Sequence, residues 1–564
     1  MAESNYWGRL NSGRVSRRSL MRGAGVGAAG LAGAALIGCS SKKDEPAAAP
    51  TKATAPIAVT AAPSAKQPKK GGTFRLGFTG TVAGIDPHNS VFGGSGGVPQ
   101  VYNYLFRREV LRGDLGLKYD LAKSHQVEKD GVTWTFKLRT DAKIAPNDKG
   151  VPERMLDSED VVQSFKRMAD KPVAANAYAF FAAWVDKFDA PDKETVRLVT
   201  KKPYAWVEEN LGDNLKGAIV PKEWLAKPAA DLKQWGVGAG PFMLKSIQEG
   251  EGIRMVRNPS FYDKERPYLD GYDILNFKDV ATQRTALSSG QIDSYITADP
   301  AEAKELEKST KGLKLAETGS TGYNSFWMRT DVALWKDARV RRAMNLSMNR
   351  DEYIQIIGKG LGKHAGPVVP VFGDYALSDA ELKKLQPFDP AEAKKLFEAA
   401  SVKEVAFTHP TSSTMNDYVN IMVKQLQAIG VTAKPQPLDA AAWVAQYFGS
   451  ALTASYSLNQ SYKTPDSALL WYRAGGVTGS SNYDTKFYTA ELDAMIDKAA
   501  ATIPEAERKA AYLDAQRAIL KSDPAFINVF NTGSNTLYFE KVQNFDAGAG
   551  AMSAHMTRNY WIDA

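Results

Sequence analysis

Short runs of the chain alternate apolar and polar residues with the period of two that a half-buried β-strand requires. The alternation is clearest in three segments, Gly72–Phe78, Val132–Leu138 and Thr195–Thr200. Their apolar positions hold aromatic or aliphatic side chains, which are typical of strands that bury one face. We therefore predict that each segment is a strand packed against a core.

Two other segments place apolar residues three or four positions apart, which is the spacing of an amphipathic helix. One helix is predicted to begin at Ser158. The other begins at Asp389, where the sequence Asp-Pro-Ala-Glu supplies an N-cap acid, a first-turn proline and a capping-box glutamate. The residues predicted to face a core are Val161, Val162, Phe165 and Met168 in the first helix, and Ala393, Leu396, Phe397 and Ala400 in the second.

The segment Val402–Leu438 combines both patterns. A strand-like run is followed by a helical pattern, and Gly430 stands where that helix can end before a second strand-like run begins. Two strands joined in this way by a helix form a right-handed crossover unit with parallel strands. The segment therefore predicts an α/β lobe. The inner face of its helix is predicted to be Val419, Met422, Val423, Leu426 and Ile429.

The chain of 564 residues is long enough for several structural units, at about 150 residues each. Its net charge of +8 would suit an acidic partner such as nucleic acid. The whole excess lies in residues 1–70, however, because residues 71–564 carry 60 basic and 60 acidic side chains. We therefore expect no nucleic-acid partner for the folded part.

The first 39 residues have the layout of an export signal. The pair Arg17-Arg18, followed by Ser-Leu-Met-Arg, resembles the twin-arginine export signal. The uncharged run Gly23–Gly38 is shorter than the ~20 residues of a membrane-spanning helix. It ends in Leu-Ile-Gly-Cys39, which resembles a bacterial lipobox, where the cysteine thiol is acylated. Because Cys39 is the only cysteine, the sequence excludes an internal disulfide.

Residues 40–70 have the composition of a tether, since 20 of these 31 residues are Ala, Pro or Lys. Such a segment cannot build a core of its own. We predict a signal peptide over 1–39 and a flexible tether over 40–70. The protein is then exported and held at the cell membrane by lipid on Cys39, facing the periplasm or the cell exterior.

The sequence shows no local signature of catalysis. H-E-x-x-H is absent, and the glycine-rich Gly358–Lys363 lacks the Ser or Thr that follows the lysine of a phosphate loop. The histidines show no metal-binding spacing; they are His88, His125, His364, His409 and His555. We predict no catalytic residue, no metal site and no cofactor.

Seven motifs follow one another between Gly71 and Arg350. They are GGTFR from Gly71, IDPH from Ile85, DGVTWTFKLR from Asp130, SEDVV from Ser158, GAGPF from Gly238, RNPSFY from Arg257, and WKDARVRRAM from Trp335 with Asn349-Arg350 after it. In this order they resemble the family-5 extracellular solute-binding proteins of ABC importers, the oligopeptide, dipeptide and nickel class, over nearly all of 71–564. In the last motif, Arg339, Arg341 and Arg342 are interpreted as supporting a structural helix and not as ligand contacts.

The resemblance implies an α/β fold, a two-lobe clamshell of the type II periplasmic-binding-protein class with an additional α+β domain. Lobe I would be discontinuous and comprise 71–102, 229–322 and 518–564. The extra domain would comprise 103–228 and lobe II 323–517, with hinge crossovers near Thr321 and Arg517. A monomer would bind a small molecule or peptide between the lobes and deliver it to an ABC permease in the membrane.

The resemblance also implies where the ligand is held. The family's contact regions correspond here to Val91–Gly97, Gly322–Trp327, Tyr456–Tyr462 and Asn528–Asn531. Aromatic residues suit such a cleft because they bury a large area at low entropic cost. The predicted ligand residues are Phe92, Tyr323, Asn324, Tyr456, Asn459, Ser461, Tyr462 and Phe530, with Trp443 and Trp471 as further candidates.

One position departs from the family's pattern. Oligopeptide carriers place an acid before the tyrosine of this stretch, where it binds the α-ammonium group of the peptide, and here Ser461 takes its place. A serine cannot make that charge-assisted bond, and Asp466 is expected to point elsewhere on a strand. Peptide is the family default, whereas an oligosaccharide or other neutral solute is the alternative. A tethered cell-surface hydrolase remains a third hypothesis, which predicts turnover of the ligand.

Overall fold

The computed structural model describes residues 66–79, 84–88, 98–108, 117–170, 175–213, 217–248, 250–297, 299–320, 322–448, 451–458, 464–473, 485–487, 489–546 and 557–563. Several predicted residues lie outside these ranges, namely Arg17, Arg18, Cys39, Phe92, Asn459, Ser461 and Tyr462. None of the helices within the ranges is long and apolar enough to cross a membrane.

The described strands and helices are numbered here in chain order. The strands are β1 (Thr73–Thr79), β2 (Phe106–Arg108), β3 (Leu117–Tyr119), β4 (Ala122–Val127), β5 (Thr133–Leu138), β6 (Val185–Asp192), β7 (Thr195–Thr200), β8 (Phe242–Gln248), β9 (Gly252–Arg257), β10 (Gly271–Phe277), β11 (Ser294–Thr297), β12 (Leu313–Gly319), β13 (Asn324–Met328), β14 (Gly362–His364), β15 (Glu404–Pro410), β16 (Thr432–Leu438), β17 (Ala454–Leu458), β18 (Phe526–Phe539), β19 (Val542–Gln543) and β20 (Trp561–Ile562). The helices are α1 (Ser158–Met168), α2 (Ala175–Trp184), α3 (Val207–Leu211), α4 (Lys222–Leu225), α5 (Ala229–Gln234), α6 (Val280–Ser288), α7 (Pro300–Ser309), α8 (Ala333–Lys336), α9 (Ala338–Ser347), α10 (Arg350–Ile356), α11 (Asp379–Leu385), α12 (Pro390–Ala399), α13 (Ser413–Ala428), α14 (Ala440–Phe448), α15 (Pro465–Leu469), α16 (Ala490–Ala501) and α17 (Glu505–Lys521).

A large mixed sheet forms the framework of the molecule. Its strands lie side by side in the order β16-β15-β17-β13-β18-β11-β1-β10-β9-β8, and β12 and β14 also pair with β18. Strand β1 is parallel to both of its neighbours, β10 and β11. The strands predicted from alternation are observed at Thr73–Thr79, Thr133–Leu138 and Thr195–Thr200, which confirms all three.

Strand β18 joins two halves of this sheet. Its residues 526–532 pair with β13 and β14, whereas its residues 533–539 pair with β11 and β12. The change of partners thus falls between Thr532 and Gly533. The second hinge crossover was expected near Arg517, which lies inside α17, and its position stays a prediction. The other domain boundaries stay predictions.

The predicted crossover unit of lobe II is confirmed. Strands β15 and β16 are parallel from the pair Glu404–Thr432 to the pair Pro410–Leu438, and α13 lies between them in the chain. Gly430 follows α13 with a φ of +81°, a left-handed conformation that glycine adopts without steric cost. The helix buries most of its predicted face, namely Val419, Met422, Leu426 and Ile429, with Val423 partly buried.

The predicted extra domain contains an antiparallel sheet in the order β4-β5-β7-β6. Helix α1 starts at Ser158 as predicted, and the side chain of Asp157 caps it by accepting hydrogen bonds from the backbone N–H groups of Glu159 and Asp160. The helix buries its whole predicted apolar face in the core of this domain. The second predicted helix is confirmed as α12, which Asp389 caps through the N–H of Glu392.

Two buried clusters are relevant to the site. The larger one runs from the extra domain and lobe I to one face of β13 and includes Tyr323 and Trp327. The other, called the helix-side core here, lies on the opposite face of β13 and includes its residues Phe326 and Met328. The strands of lobe II therefore carry buried side chains on both faces, and the face of a residue decides which cluster it joins.

Candidate ligand-binding site

The face of lobe II opposite the helix-side core is formed by serine, asparagine and aromatic side chains. Ser325 of β13 lies directly between Ser457 of β17 and Asn528 of β18, and Trp327 lies between Ser455 and Phe526. Residues two apart on a strand share a face, so these two rows form one surface. We call it the serine–tryptophan face; its members are Ser325, Trp327, Ser455, Ser457, Phe526 and Asn528.

Hydrogen bonds fix the indole rings on this face. The Nε1 of Trp327 donates to the Oγ of Ser457 at 2.9 Å, and the Nε1 of Trp443 donates to the Oγ of Ser455 at 3.0 Å. The ring of Tyr447 stacks on Trp443, with centroids 4.9 Å apart. Both indole N–H groups are thus satisfied, and Trp327 is fully buried with its ring 5.9 Å from that of Tyr447.

A β-bulge in β18 separates the serine–tryptophan face from the helix-side core. Ser325 pairs with Asn528, but the preceding residue, Asn324, pairs with Phe530, so Val529 is an extra residue. Both Val529 and Phe530 therefore join the helix-side core. The bulge reverses the alternation, which places Asn528 and Phe526 on the other face.

The structure separates the sequence-predicted site residues that it describes. Tyr456 and Phe530 are fully buried in the helix-side core, where Tyr456 stacks between Tyr353 and Tyr418 at 6.3 and 6.1 Å. Burial raises the pKa of Tyr456 well above its usual range. Asn324 is buried beside Tyr418, whose pKa burial raises to about 12. These residues line the back of the sheet, so any effect on a ligand at the serine–tryptophan face would be indirect.

Tyr323, Trp443 and Trp471 belong to the opposite side of the sheet. Tyr323 packs edge-on against Phe526 at 6.0 Å, and Trp471 stacks on the same ring at 5.0 Å. The structure thus brings these three together with the serine–tryptophan face and not with Tyr456 or Phe530. Their role as ligand contacts stays a prediction.

The sequence prediction did not name Ser325, Trp327, Ser455, Ser457 or Asn528 individually. A signal was present in ASYSL, where serine alternates with larger or apolar residues. Selecting the residues of one face would have kept Ser455 and Ser457 together and left Tyr456 out. No comparable pattern in the sequence marks the bulge at Val529.

Asn528 is the polar centre of the face. Its Nδ2 donates to the hydroxyl of Tyr472 at 3.1 Å, while its Oδ1 is buried and accepts no hydrogen bond from the described residues. On the other side of the strand, the Nε of Arg350 donates to the backbone oxygen of Asn528 at 3.0 Å. Burial lowers the pKa of Arg350 to about 10. Arg350 thus anchors the backbone, and Asn528 offers an acceptor.

The arginine-rich helix has the structural role that the sequence indicated for two of its arginines. Arg339 pairs with its own N-cap residue, Asp337, at 2.7 Å. Arg341 donates to the backbone oxygens of Trp335, Lys336 and Asp523. These bonds tie α9 to its surroundings, and neither guanidinium reaches the serine–tryptophan face.

The Ile85–His88 motif is fastened to the extra domain. The carboxylate of Asp86 forms two hydrogen bonds with the guanidinium of Arg167 in α1, at 2.9 and 2.5 Å. The Nε2 of His88 lies 2.8 Å from the backbone oxygen of Ala218. Burial, together with the charge of Arg167, lowers the pKa of His88 to about 4. The motif therefore joins the end of the first strand to the extra domain.

Asp466 was expected to lie on a strand, but it lies in a helix. Thr464 caps a short helix, α15, and Asp466 sits in its first turn as a buried carboxylate. The hydroxyl of Tyr204 donates to it at 2.8 Å and that of Tyr512 at 3.1 Å. The expectation was wrong because the Thr-Pro pair starts a helix.

The members of the serine–tryptophan face are neutral, and their hydroxyl and amide groups lie between aromatic rings. All six are at most 2% exposed in this structure, and the hydroxyls of Ser457 and Ser455 accept from the indoles of Trp327 and Trp443. No group of three or more His, Cys, Asp or Glu residues that could hold a metal ion occurs within the described ranges. The arrangement is suited to a ligand with neutral hydrogen-bonding groups and some apolar surface.

Comparison with known proteins gives the class of the protein. Residues 116–480 match the family described as bacterial extracellular solute-binding proteins, family 5 Middle. The chain belongs to this family. As the family is extracellular, the protein is exported.

Two curated relatives are similar over most of their length. The di/tripeptide-binding protein 1 of Pseudomonas aeruginosa is 25% identical over 475 residues, which is 79% of this chain and 86% of the relative. The heme-binding protein A of Haemophilus influenzae is 25% identical over 450 residues, which is 74% of this chain and 79% of the relative. Both are binding proteins, although their named ligands differ.

A solved structure shows the same fold. The ABC transporter-associated periplasmic binding protein DppA from Helicobacter pylori, in complex with peptide STSA, superposes with a TM-score of 0.74 at 20% identity. The match covers 88% of this chain and 99% of that one. The fold is therefore the α/β, two-lobe, type II clamshell that the sequence predicted. The protein is a bacterial extracellular solute-binding protein of family 5.

Proposed function

We propose that the protein captures a short peptide between its lobes and delivers it to a membrane permease. The observation that carries this proposal is the serine–tryptophan face, where Ser325, Ser457 and Asn528 stand in one row across three strands. A surface of hydroxyl and amide groups between aromatic rings can bind a peptide backbone and tolerate many side chains. The relatives named for di- and tripeptides support the same ligand class.

Closure around the ligand follows from the position of β18. This strand contributes Asn528 to the face in its first half and pairs with lobe I strands in its second half. A ligand that contacts both lobes gains contacts on closure that the open state lacks. It shifts the equilibrium only by that difference in affinity.

The ammonium group of the peptide would be held without an acid at position 461. Ser461 stands where oligopeptide carriers of the family place an acid, and the described members of the serine–tryptophan face carry no charge. We propose neutral acceptors instead, of which the Oδ1 of Asn528 is one. Phe92, Tyr323, Asn459, Ser461 and Tyr462 remain proposed ligand contacts.

The proposal includes the site of action and the lack of turnover. The chain would be anchored by lipid on Cys39 after export through the signal at Arg17 and Arg18. It would act as a monomer and return its ligand unchanged. The binding-protein relatives support this part.

The experiment that tests the function is mass spectrometry of small molecules released from the denatured, purified protein. A ladder of short peptides supports the proposal. A defined saccharide or another neutral solute would replace peptide as the ligand. Incubation of purified protein with the recovered molecule then tests turnover, since a carrier leaves its mass unchanged.

The substitution Ser461→Asp tests the assigned position of the ammonium site. A carboxylate there should strengthen binding of peptides with a free amino terminus, because a charge-assisted bond replaces a neutral one. N-acetylated peptides of the same sequence are the control and should not gain affinity. Equal affinities of both peptides for wild type and variant, by calorimetry, would contradict the alignment at this position.

A further inference from the structure

Trp206 of the predicted extra domain packs among three side chains of predicted lobe II. Its indole meets the ring of Tyr512 edge-on with centroids 5.7 Å apart, and the ring of Tyr375 lies 5.3 Å away. The guanidinium of Arg508 lies 5.0 Å from the centroid of the same indole. We call Tyr375, Arg508 and Tyr512 the socket.

Hydrogen bonds hold the socket together and join it to the indole. The Nε1 of Trp206 donates to the hydroxyl of Tyr512 at 2.8 Å. Within the socket, the Nε of Arg508 donates to the hydroxyl of Tyr375 at 3.1 Å, and the two tyrosine rings pack edge-on at 5.7 Å. Trp206 is 4% exposed, so its large apolar ring is removed from water together with its N–H group.

The extra domain is also fastened firmly to lobe I. Asp120 pairs with Arg558 of lobe I at 3.2 Å, and the two side chains are 0% and 2% exposed. The same carboxylate accepts a hydrogen bond from the hydroxyl of Tyr262 at 2.6 Å. The backbone N–H of Ala145 donates to the backbone oxygen of Gly238 at 2.9 Å. Because breaking a buried ion pair is strongly destabilising, we treat the extra domain and lobe I as one body.

The chain just before Trp206 makes further bonds to lobe II. Lys202 forms an ion pair with Asp497 of α16. The backbone N–H of Ala205 donates to the backbone oxygen of Ala500, in the same helix, at 2.8 Å. This short stretch between β7 and α3 is therefore bonded to α16 as well as to the socket.

These contacts join two bodies that move relative to each other in a two-lobe clamshell. Lobe II is connected to lobe I through the crossover between β12 and β13 and through strand β18. Hinge closure around a ligand swings one lobe about such crossovers. Since the extra domain belongs to the body of lobe I, its contacts with the socket form when the lobes close and break when they open.

We propose that Trp206 is a latch that stabilises the closed form of the protein whether or not a ligand is bound. The apparent dissociation constant of a ligand is its intrinsic value divided by the fraction of closed protein. A contact that exists in the closed form alone therefore tightens binding without touching the ligand. The inference rests on the proposed function, since it assigns Trp206 as a positioning residue for ligand capture.

The test compares Trp206→Phe with Trp134→Phe in the full chain. Trp134 is a matched control because it also lies in the extra domain and is also 4% exposed. Its ring stacks on His125 and Phe136 of the same domain, and its Nε1 donates no hydrogen bond to any described residue. Small-angle X-ray scattering of the ligand-free protein reports on lobe opening, and calorimetry with the tripeptide tri-alanine reports on binding.

We expect Trp206→Phe to increase the radius of gyration of the ligand-free protein and to weaken tri-alanine binding about fivefold, since the closed form loses one hydrogen bond. Trp134→Phe should change neither. An unchanged radius of gyration overturns the proposal even if the variant is less stable in urea, because a merely structural tryptophan would behave in that way. Failure of wild type to bind any tripeptide would sink the proposed peptide function, while the scattering result would still decide whether Trp206 is a latch.

A second pair of variants covers the case in which Trp206→Phe does not fold. Lys202→Ala removes the ion pair with Asp497, whose side chains are 38% and 31% exposed. Lys143→Ala is its control, because the pair of Lys143 with Glu153 lies inside the extra domain at 3.1 Å and is 37% and 45% exposed. We expect Lys202→Ala to increase the radius of gyration and to weaken binding about twofold, as suits a partly exposed pair. Equal values for the two alanine variants would overturn the proposal.

Discussion

Asn528 contacts both buried clusters, one through its backbone and the other through its side chain. Its backbone oxygen is held by Arg350 from the helix side, and its side chain lies in the serine–tryptophan face with a buried oxygen that accepts no described hydrogen bond. A buried acceptor without a partner costs free energy. A ligand N–H would recover that cost on binding.

Replacement of Asn528 by leucine tests this acceptor. We expect Asn528→Leu to weaken binding of the cargo about tenfold, which is what one hydrogen bond contributes. Tyr472→Phe is the control, because it removes the Asn528–Tyr472 bond but leaves the Oδ1 in place. Calorimetry with both variants checks the prediction. Equal losses in the two would show that the bond to Tyr472 matters and the free oxygen does not.

His88 gives a pH dependence at the residue scale. Its pKa in the folded protein is about 4, whereas a histidine of the unfolded chain has a pKa near 6.5. The unfolded state therefore binds a proton first as the pH falls, so this contribution to stability is present above about pH 6.5 and is lost between pH 6.5 and 4.

The pH prediction is checked by urea unfolding at pH 8 and pH 5. We expect the unfolding free energy of wild type to fall by about 2 kcal/mol more than that of His88→Gln over this range. The figure is about 1.36 kcal/mol for each pH unit between pH 6.5 and pH 5. The difference between the two proteins at pH 8 serves as the reference. Parallel losses in both proteins would contradict the assignment to His88.

At the scale of elements, caps and periodicity were sufficient to place several helices and strands. Asp389 and Ser158 marked real helix starts, and the three alternating runs are real strands. Local signals of this kind work because capping and one-face burial act within a few residues. Asp466 was misplaced although its local signal, Thr-Pro, was present.

Gly430 allows a test of the crossover unit. Its φ of +81° is left-handed, and a Cβ there would meet no atom within 4 Å, so a substitution is opposed by backbone conformation alone. We expect Gly430→Ala to lower the unfolding free energy by about 1 kcal/mol and Gly430→Asn to lower it less, because Asn tolerates this region. Urea denaturation measures both. Equal stability of Ala and Gly would mean that the turn relaxes.

At the scale of the whole molecule, the anchor and the cargo are separate questions. Cys39→Ser removes the only thiol of the chain. If Cys39 is lipidated, we expect the variant to move from the membrane fraction to the soluble fraction. The reason is that stable attachment depends on two or more acyl chains, which the variant lacks. Immunoblots of fractionated cells check this, and unchanged membrane association of the variant would contradict lipid attachment.

The sequence by itself determined the family, the α/β class, the position of several helices and strands, and the neutrality of the folded part. These follow from composition, from local periodicity and from motifs in order, and none of them needs contacts between distant residues. Tertiary structure alone decided which residues share the serine–tryptophan face. The bulge at Val529 inverts the alternation of β18, and the partners of Asp466 come from Tyr204 and Tyr512, which are far away in the chain. Such contacts depend on how strands are registered and how domains meet, which no local pattern specifies.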